Sequence, residues 1–229
     1  MSTPGILMVL TSHNQLGDTG KPTGFWLEEF AGPYYTFVDA GATVTLASIQ
    51  GGQPPIDPKS YAEDAQTEMT RRFLADTAEK EALANTLAIA KADAGDYNAI
   101  FLTGGHGTMW DFPTSRALTN LIEAFDEEEK LIAAVCHAPA ALVTVKTASG
   151  EPLVKGKIVT AFTDSEERGV GLETVVPFML ETRLRELGAT FEGDQDWVAH
   201  IRQDSNLITG QNPASSEPAA RAVLEAIRA

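Results

Sequence analysis

Short runs of apolar residues alternate along this chain with segments whose apolar residues recur at helical spacing. Unbroken apolar runs are typical of strands covered on both faces, and they predict strands at 6–10, 43–49, 99–103, 131–135 and 157–162. Helical spacing predicts helices at 25–40, 77–93, 118–125, 176–187 and 220–227. This alternation indicates an α/β fold, with a mostly parallel sheet and helices on both of its faces.

Local signals refine this pattern. Asp76, with Glu79 three residues on, resembles a helix N-cap and marks the start of the helix at 77–93. Pro33 predicts a kink or break in the helix at 25–40. Shorter strands are predicted near 190–192, 197–201 and 207–209. Because no repeat or long linker divides the sequence, we expect residues 1–229 to form one domain.

The composition limits which partners the protein is expected to bind and in which compartment it is expected to lie. A net charge of -15 argues against nucleic acid and against anionic membrane surfaces, since both attract basic residues. A single cysteine excludes an internal disulfide and fits a reducing compartment. No apolar run approaches the ~18 residues that span a bilayer. We therefore expect a cytoplasmic protein that binds neither nucleic acid nor membranes.

The only cysteine, Cys136, directly follows the strand predicted at 131–135, and a helix-compatible run follows it. A thiol at such a junction lies near the positive end of a helix, where cysteine pKa values fall to roughly 3.5–7.5. The alternative is a buried structural thiol. His137, the next residue, is expected either to orient the thiol and carry protons or to act as a cap.

Other candidates lie on separate elements. The run Gly104, Gly105 and His106 closes a strand beside Cys136, where backbone N–H groups can form an oxyanion hole; a simple tight turn is the alternative. On the helix at 25–40, Glu28 is expected to face solvent. Glu29 lies on the flank of the apolar face, where it is either half-buried, so that desolvation favours proton transfer, or a surface carboxylate. Asp164 can orient a histidine or belong to a solvated acidic loop. No histidine pair has metal-ligand spacing, so we expect no metal site.

Five segments together resemble the PfpI-type superfamily, which includes the parkinsonism-associated deglycase, and within it the heat-inducible chaperone-like, glutathione-independent glyoxalase III branch. They are TGFWLEEFAGP at 23–33, LTGGHGTMWDFP at 102–113, AVCHAP at 134–139, AFTD at 161–164 and TGQNPASS at 209–216. The resemblance implies a flavodoxin-like three-layer sandwich with a cysteine nucleophile elbow, usually a homodimer. It implies Cys136 as nucleophile, His137 as its partner, Glu29 as the catalytic glutamate, and more loosely Asp164 as the histidine's partner.

The same resemblance implies a cofactor-independent lyase of the D-lactate dehydratase type that converts methylglyoxal, a small reactive aldehyde, to lactate. Two alternatives stay open. One is a stress chaperone that holds unfolded proteins and senses oxidation through its thiol. The other is a cysteine hydrolase, either a deglycase or a peptidase. The C-terminal half has no His-x-Glu, since His200 precedes Ile201 and Arg202, which disfavours a class I glutamine amidotransferase.

Overall fold

The computed structural model describes residues 3–228, and the centre of this part of the chain is a seven-stranded sheet. Its strands are β1 (Gly5–Leu10), β2 (Thr43–Ser48), β3 (Leu87–Ala88), β4 (Ala99–Leu102), β5 (Leu131–Val135), β8 (Ile201–Asp204) and β9 (Leu207–Gly210). The spatial order is β3-β2-β1-β4-β5-β9-β8, and every pair is parallel except β8 with β9. Strands β6 (Ile158–Val159) and β7 (Thr190–Phe191) form a separate parallel pair.

Helices cover both faces of the sheet. They are α1 (Leu27–Asp39), α2 (Glu68–Ala75), α3 (Thr77–Ala84), α4 (Thr108–Asp111), α5 (Arg116–Glu127), α6 (Asp164–Gly169), α7 (Leu180–Glu186) and α8 (Ser216–Arg228). Along β1, Leu7 and Val9 join one apolar core with α5, whereas Ile6 and Met8 join a second core with α1 and α8. This alternation of side chains gives three layers, so the predicted flavodoxin-like α/β sandwich is confirmed. Within residues 3–228, no helix has the length and apolar character needed to cross a bilayer.

Several predicted elements differ from the structure. The helix predicted at 77–93 stops at Ala84, and Leu87–Ala88 pairs with β2 as an edge strand instead. The Thr86 hydroxyl lies 2.7 Å from that of Ser48, which draws this segment onto the sheet. Helix α2 was not predicted. Helix α1 continues past Pro33 to Asp39, so the predicted break is wrong; the aromatic side chains on both sides of the proline are packed in the core.

The strand predicted at 157–162 is also shorter than expected. Only Ile158–Val159 is paired, and its partner is β7 rather than a strand of the central sheet. Helix α7 begins at Leu180, four residues after the predicted start. Pro177 lies in that interval, and the residue before a proline is disfavoured in a helix.

Strands β4 and β5 position the candidate site. They are neighbours in parallel register, with Leu102 opposite Ala134. The glycine-rich run after β4 and the cysteine after β5 therefore emerge at the same edge of the sheet, as the sequence predicted.

Candidate active site

Cys136 occupies a strained turn at the end of β5. Its φ is +58°, a left-handed conformation that costs a non-glycine residue about 1–3 kcal/mol. The backbone on both sides is fixed: the Cys136 N–H donates to the carbonyl of Gly210 at 2.8 Å, and its carbonyl accepts from the N–H of Phe162 at 2.9 Å. The chain then enters a 3₁₀ helix, Ala138–Val143. This turn places Cys136 just beyond the end of β5.

Two ionisable side chains lie against the Cys136 thiol. The Sγ atom is 3.2 Å from Nδ1 of His137. The carboxyl group of Glu29, from α1, lies beside the thiol and the N–H of Gly104 but has no well-aligned hydrogen bond to either. All three side chains are buried, with relative exposures of 0% for Glu29, 3% for Cys136 and 1% for His137. Glu29 is therefore more deeply buried than the sequence suggested.

Gly104 and Gly105 make this close approach possible. A Cβ atom at Gly104 would lie 2.2 Å from Oε2 of Glu29 and 2.4 Å from the carbonyl oxygen of Val135. A Cβ at Gly105, whose φ is +112°, would lie 2.5 Å from the backbone nitrogen of Trp26. Only glycine at both positions lets the run after β4 pack between α1 and the cysteine turn.

The two acidic groups of the pocket hold their protons tightly. Burial raises the pKa of Glu29 well above its ordinary value. Burial, followed by the charge of Glu29, raises the pKa of the Cys136 thiol well above its ordinary value too. The prediction that the thiol pKa is lowered is therefore wrong. Desolvation of the thiolate outweighs the favourable electrostatic effect of the short 3₁₀ helix that follows Cys136. A protonated Glu29 beside the sulfur can donate a hydrogen bond to a thiolate, and the pair resists carrying two negative charges.

Glu167, from α6, bonds to the far side of His137. Its Oε2 lies 2.7 Å from Nε2 of the imidazole. Burial opposes ionisation of Glu167, but His137 and His106 together hold its pKa below the ordinary value. Burial and the nearby His106 lower the pKa of His137 to about 4, so the ring is neutral at pH 7. An ionised carboxylate only accepts hydrogen bonds, so His137 carries its proton on Nε2 and presents the bare Nδ1 to Cys136.

Asp164 does not contact His137, so the predicted pairing of these two residues is wrong. Asp164 is the first residue of α6, and its carboxylate accepts hydrogen bonds from the hydroxyl of Thr182 at 2.5 Å and from its N–H at 3.4 Å. Glu167, one helical turn later, takes the expected place. The sequence does contain a signal for this partner. Thr163 and Glu166 form a capping box, which starts a helix at Asp164 and places the carboxyl of Glu167 in its first turn.

His106 lies beside His137, with ring centroids 4.0 Å apart. Its Nε2 is 2.8 Å from Oε1 of Glu167. One ring nitrogen from each of His106 and His137 and one carboxylate oxygen of Glu167 lie within 4.8 Å of one another. The spacing of these residues in the sequence did not suggest this group. In this structure both imidazoles donate to the carboxylate of Glu167, which is their shared acceptor.

Comparison with known proteins places this arrangement in a family. The protein-family model described as the DJ-1/PfpI family matches residues 22–226 of this chain. The chain belongs to the DJ-1/PfpI family. The resemblance predicted from the motifs around Gly104 and Cys136 is therefore confirmed.

Relatives of this DJ-1/PfpI protein match it over nearly its whole length. Glyoxalase 3 of Candida albicans is 30% identical over 231 residues, covering 96% of this chain and 97% of that protein. The solved structure of the Rapid Encystment Protein 24 KDa of Francisella tularensis has a TM-score of 0.94 and 38% identity, covering 98% of this chain and 99% of that one. The structure of glyoxalase III from Candida albicans has a TM-score of 0.90 and 28% identity, covering 97% of each chain.

Aromatic side chains pack against His137 in this DJ-1/PfpI protein. The ring of Phe162 packs on His137 with a centroid distance of 4.2 Å, and Trp197 packs edge-on against Phe162 at 5.8 Å. Trp197 also lines a cavity of about 890 Å³ together with Trp26 and Glu28, and the three candidate catalytic side chains are not among its lining residues. Glu28 is half-buried and accepts a hydrogen bond from the hydroxyl of Thr67, so the expectation that it faces open solvent is only partly correct.

Proposed function

We propose that this DJ-1/PfpI protein converts methylglyoxal to lactate without glutathione. The observation that carries the proposal is the single thiol of Cys136, which lies 3.2 Å from the bare Nδ1 of His137 and against the carboxyl of Glu29. A nucleophile with a base on one side and an acid on the other is the set of groups that an internal redox isomerisation of an α-oxoaldehyde needs. The glyoxalase names given to the Candida albicans relative and to the Candida albicans structure, each similar over almost the whole chain, support this substrate.

The first step forms a carbon–sulfur bond. His137 takes the thiol proton on Nδ1, and the sulfur of Cys136 attacks the aldehyde carbon. The π electrons of the carbonyl move to its oxygen, which takes the proton of Glu29. The backbone N–H groups of Gly105 and His137 are the candidates for holding that oxygen while its charge develops. The product is a hemithioacetal, with Glu29 now ionised and His137 protonated.

The second step moves hydrogen between the two carbons. Ionised Glu29 removes the proton from the former aldehyde carbon, and that electron pair forms a carbon–carbon double bond. The neighbouring carbonyl oxygen takes a proton from His137, giving an enediol. Glu29 then protonates the second carbon while His137 takes the hydroxyl proton of the first, which leaves a lactoyl thioester on Cys136.

The last step releases lactate. Water attacks the thioester carbonyl and loses a proton to Glu29. The carbon–sulfur bond breaks, and His137 returns a proton to the sulfur. The cycle adds one water to methylglyoxal to give lactic acid and restores all three side chains, so it calls for no glutathione and no external oxidant or reductant.

The direct test is a lactate assay on the wild-type chain with methylglyoxal, no glutathione and a chelator present. We expect one lactate for each methylglyoxal consumed. Methylglyoxal loss without lactate, or lactate that appears only when glutathione is added, would reject the proposed function.

The role of Glu29 predicts a strong effect of Glu29→Gln. The amide keeps the size of the side chain but cannot move a proton between carbons, so we expect kcat/KM for methylglyoxal to fall about 10²-fold, at the lower end of general acid–base effects. Glu28→Gln is the matched control on the same helix, since its amide oxygen can still accept from Thr67. Undiminished turnover in Glu29→Gln would show that another group moves the proton.

We further propose that residues 1–229 act as one catalytic domain, on small reactive aldehydes, in a cytoplasmic homodimer. Light scattering of the purified chain tests the dimer, and fractionation of cells that express it tests the location. A monomer with full activity would remove the dimer from the proposal and leave the chemistry unchanged.

A further inference from the structure

The carboxylate of Glu167 is shared between two imidazoles. Oε2 accepts from Nε2 of His137 at 2.7 Å, and Oε1 accepts from Nε2 of His106 at 2.8 Å. The side chains of His137 and Glu167 are almost fully buried, with exposures of 1% and 4%, whereas that of His106 is 13% exposed. Each oxygen of the buried Glu167 carboxylate thus accepts a hydrogen bond from its own N–H donor.

The second donor affects where Glu167 points. Without His106, Oε1 would be a buried charged oxygen lacking this partner, a state that is costly and is relieved by rotation of the carboxylate or entry of water. Helix α6 spans only Asp164–Gly169, so its backbone gives the side chain limited support. Rotation of Glu167 would release Nε2 of His137, and the imidazole could then adopt its other tautomer.

We propose that His106 is a positioning residue for the proposed glyoxalase reaction: by occupying Oε1 of Glu167 it reserves Oε2 for His137 and keeps the bare Nδ1 of that ring directed at Cys136. This inference rests on the proposed function and adds a residue whose side chain acts through Glu167. In the sequence, the Gly-Gly-His run indicated an oxyanion hole and substrate pocket or a tight turn, and no role for the His106 side chain.

His106 also affects the charge that His137 can carry. Four titratable groups lie around the pair of Cys136 and His137. They are Glu29 from α1, Glu166 and Glu167 from α6, and His106 from the run after β4. Of these, the imidazole of His106 disfavours a proton on His137, and the Glu167 and Glu166 carboxylates favour it. After burial, His106 has the largest effect on the pKa of His137, and a rotated Glu167 carboxylate still lies on the neighbouring helix α6. Removal of His106 therefore raises the pKa of His137, and since the neutral ring is the active base, the acid limb of kcat/KM moves to higher pH.

Three variants test this role. His106→Leu removes the N–H donor to Glu167, whereas His106→Gln keeps an N–H donor with similar reach. His13→Leu, at a histidine that stacks on Trp110, is the matched control. We expect His106→Leu to lower kcat/KM about tenfold at pH 7, because it removes one hydrogen bond to a charged group and such a bond contributes about this much. We expect His106→Gln to recover most of that loss.

The pH profile and the tautomer separate positioning from a general loss of structure. We expect wild-type kcat/KM to stay level between pH 5 and 7, and that of His106→Leu to fall towards pH 5. The chain has four histidines, so ¹⁵N spectra can resolve each ring. We expect one Nε2–H tautomer for His137 in the wild type and in His106→Gln, and a mixture or an Nδ1–H tautomer in His106→Leu.

A His106→Leu protein with wild-type kcat/KM, an unshifted acid limb and an unchanged His137 tautomer would overturn the inference. An equal loss in His106→Leu and His106→Gln with no change of tautomer would overturn it too. The ¹⁵N measurement needs no turnover, so it still tests the role of His106 if the wild-type chain makes no lactate and the proposed function fails.

Discussion

Cys136→Ala is expected to lower kcat/KM for methylglyoxal by at least about 10⁴-fold, because the proposed pathway is covalent from its first step to its last. Without the sulfur no hemithioacetal forms, and Glu29 and His137 have no bound intermediate between which to move protons. The chain has no second cysteine that could substitute. Lactate formation measured without glutathione gives the loss directly.

The Cys136→Ala variant should fold, which makes it a sharp test. The hydrogen bonds that fix the turn, to Gly210 and from Phe162, use only the backbone of residue 136. Alanine and cysteine both carry a Cβ, so the left-handed conformation with φ of +58° costs them about the same. Circular dichroism and the thermal midpoint provide the control. A folded Cys136→Ala protein that keeps lactate formation within tenfold of wild type would remove Cys136 from the mechanism.

The sequence predicted the centre of the fold well because periodicity reports burial. Strands β1, β4 and β5 are covered on both faces, so their residues form unbroken apolar runs. Elements at the periphery lack that signal. The two-residue strand Leu87–Ala88 is held by edge pairing and by the contact of Thr86 with Ser48, neither of which leaves a pattern in the sequence.

The candidate site was predicted in part for similar reasons. Cys136, His137 and Glu29 follow from strand ends, a helical face and family motifs, and the structure brings them together. Glu167 was missed because its relation to His137 arises from the way α6 packs over the turn after β5, and sequence distance does not encode that packing. The prediction for the thiol pKa was wrong because the burial of Cys136 depends on how α1 and the run after β4 pack around it, which the helix-end argument omits.

Glu167→Gln is expected to lower kcat/KM for methylglyoxal about 10³–10⁴-fold, the scale seen when the base of a catalytic triad loses its orienting carboxylate. A glutamine side chain has one acceptor oxygen and one donor amide, whereas the two imidazoles each need an acceptor. One ring must therefore lose its partner or change tautomer. Either amide orientation also removes the negative charge that stabilises protonated His137 after it takes the thiol proton.

Asp164→Asn is the matched control, since it lies on the same helix and contacts Thr182 rather than an imidazole. We expect it to keep near wild-type kcat/KM and the Nε2–H tautomer of His137, while Glu167→Gln changes both. Because the carboxylate acts on the base and not on the substrate, the loss should appear in kcat with little change in KM. If Asp164→Asn instead causes the larger loss, the histidine's partner is Asp164 after all, and the hydrogen bond between Glu167 and His137 serves only the fold.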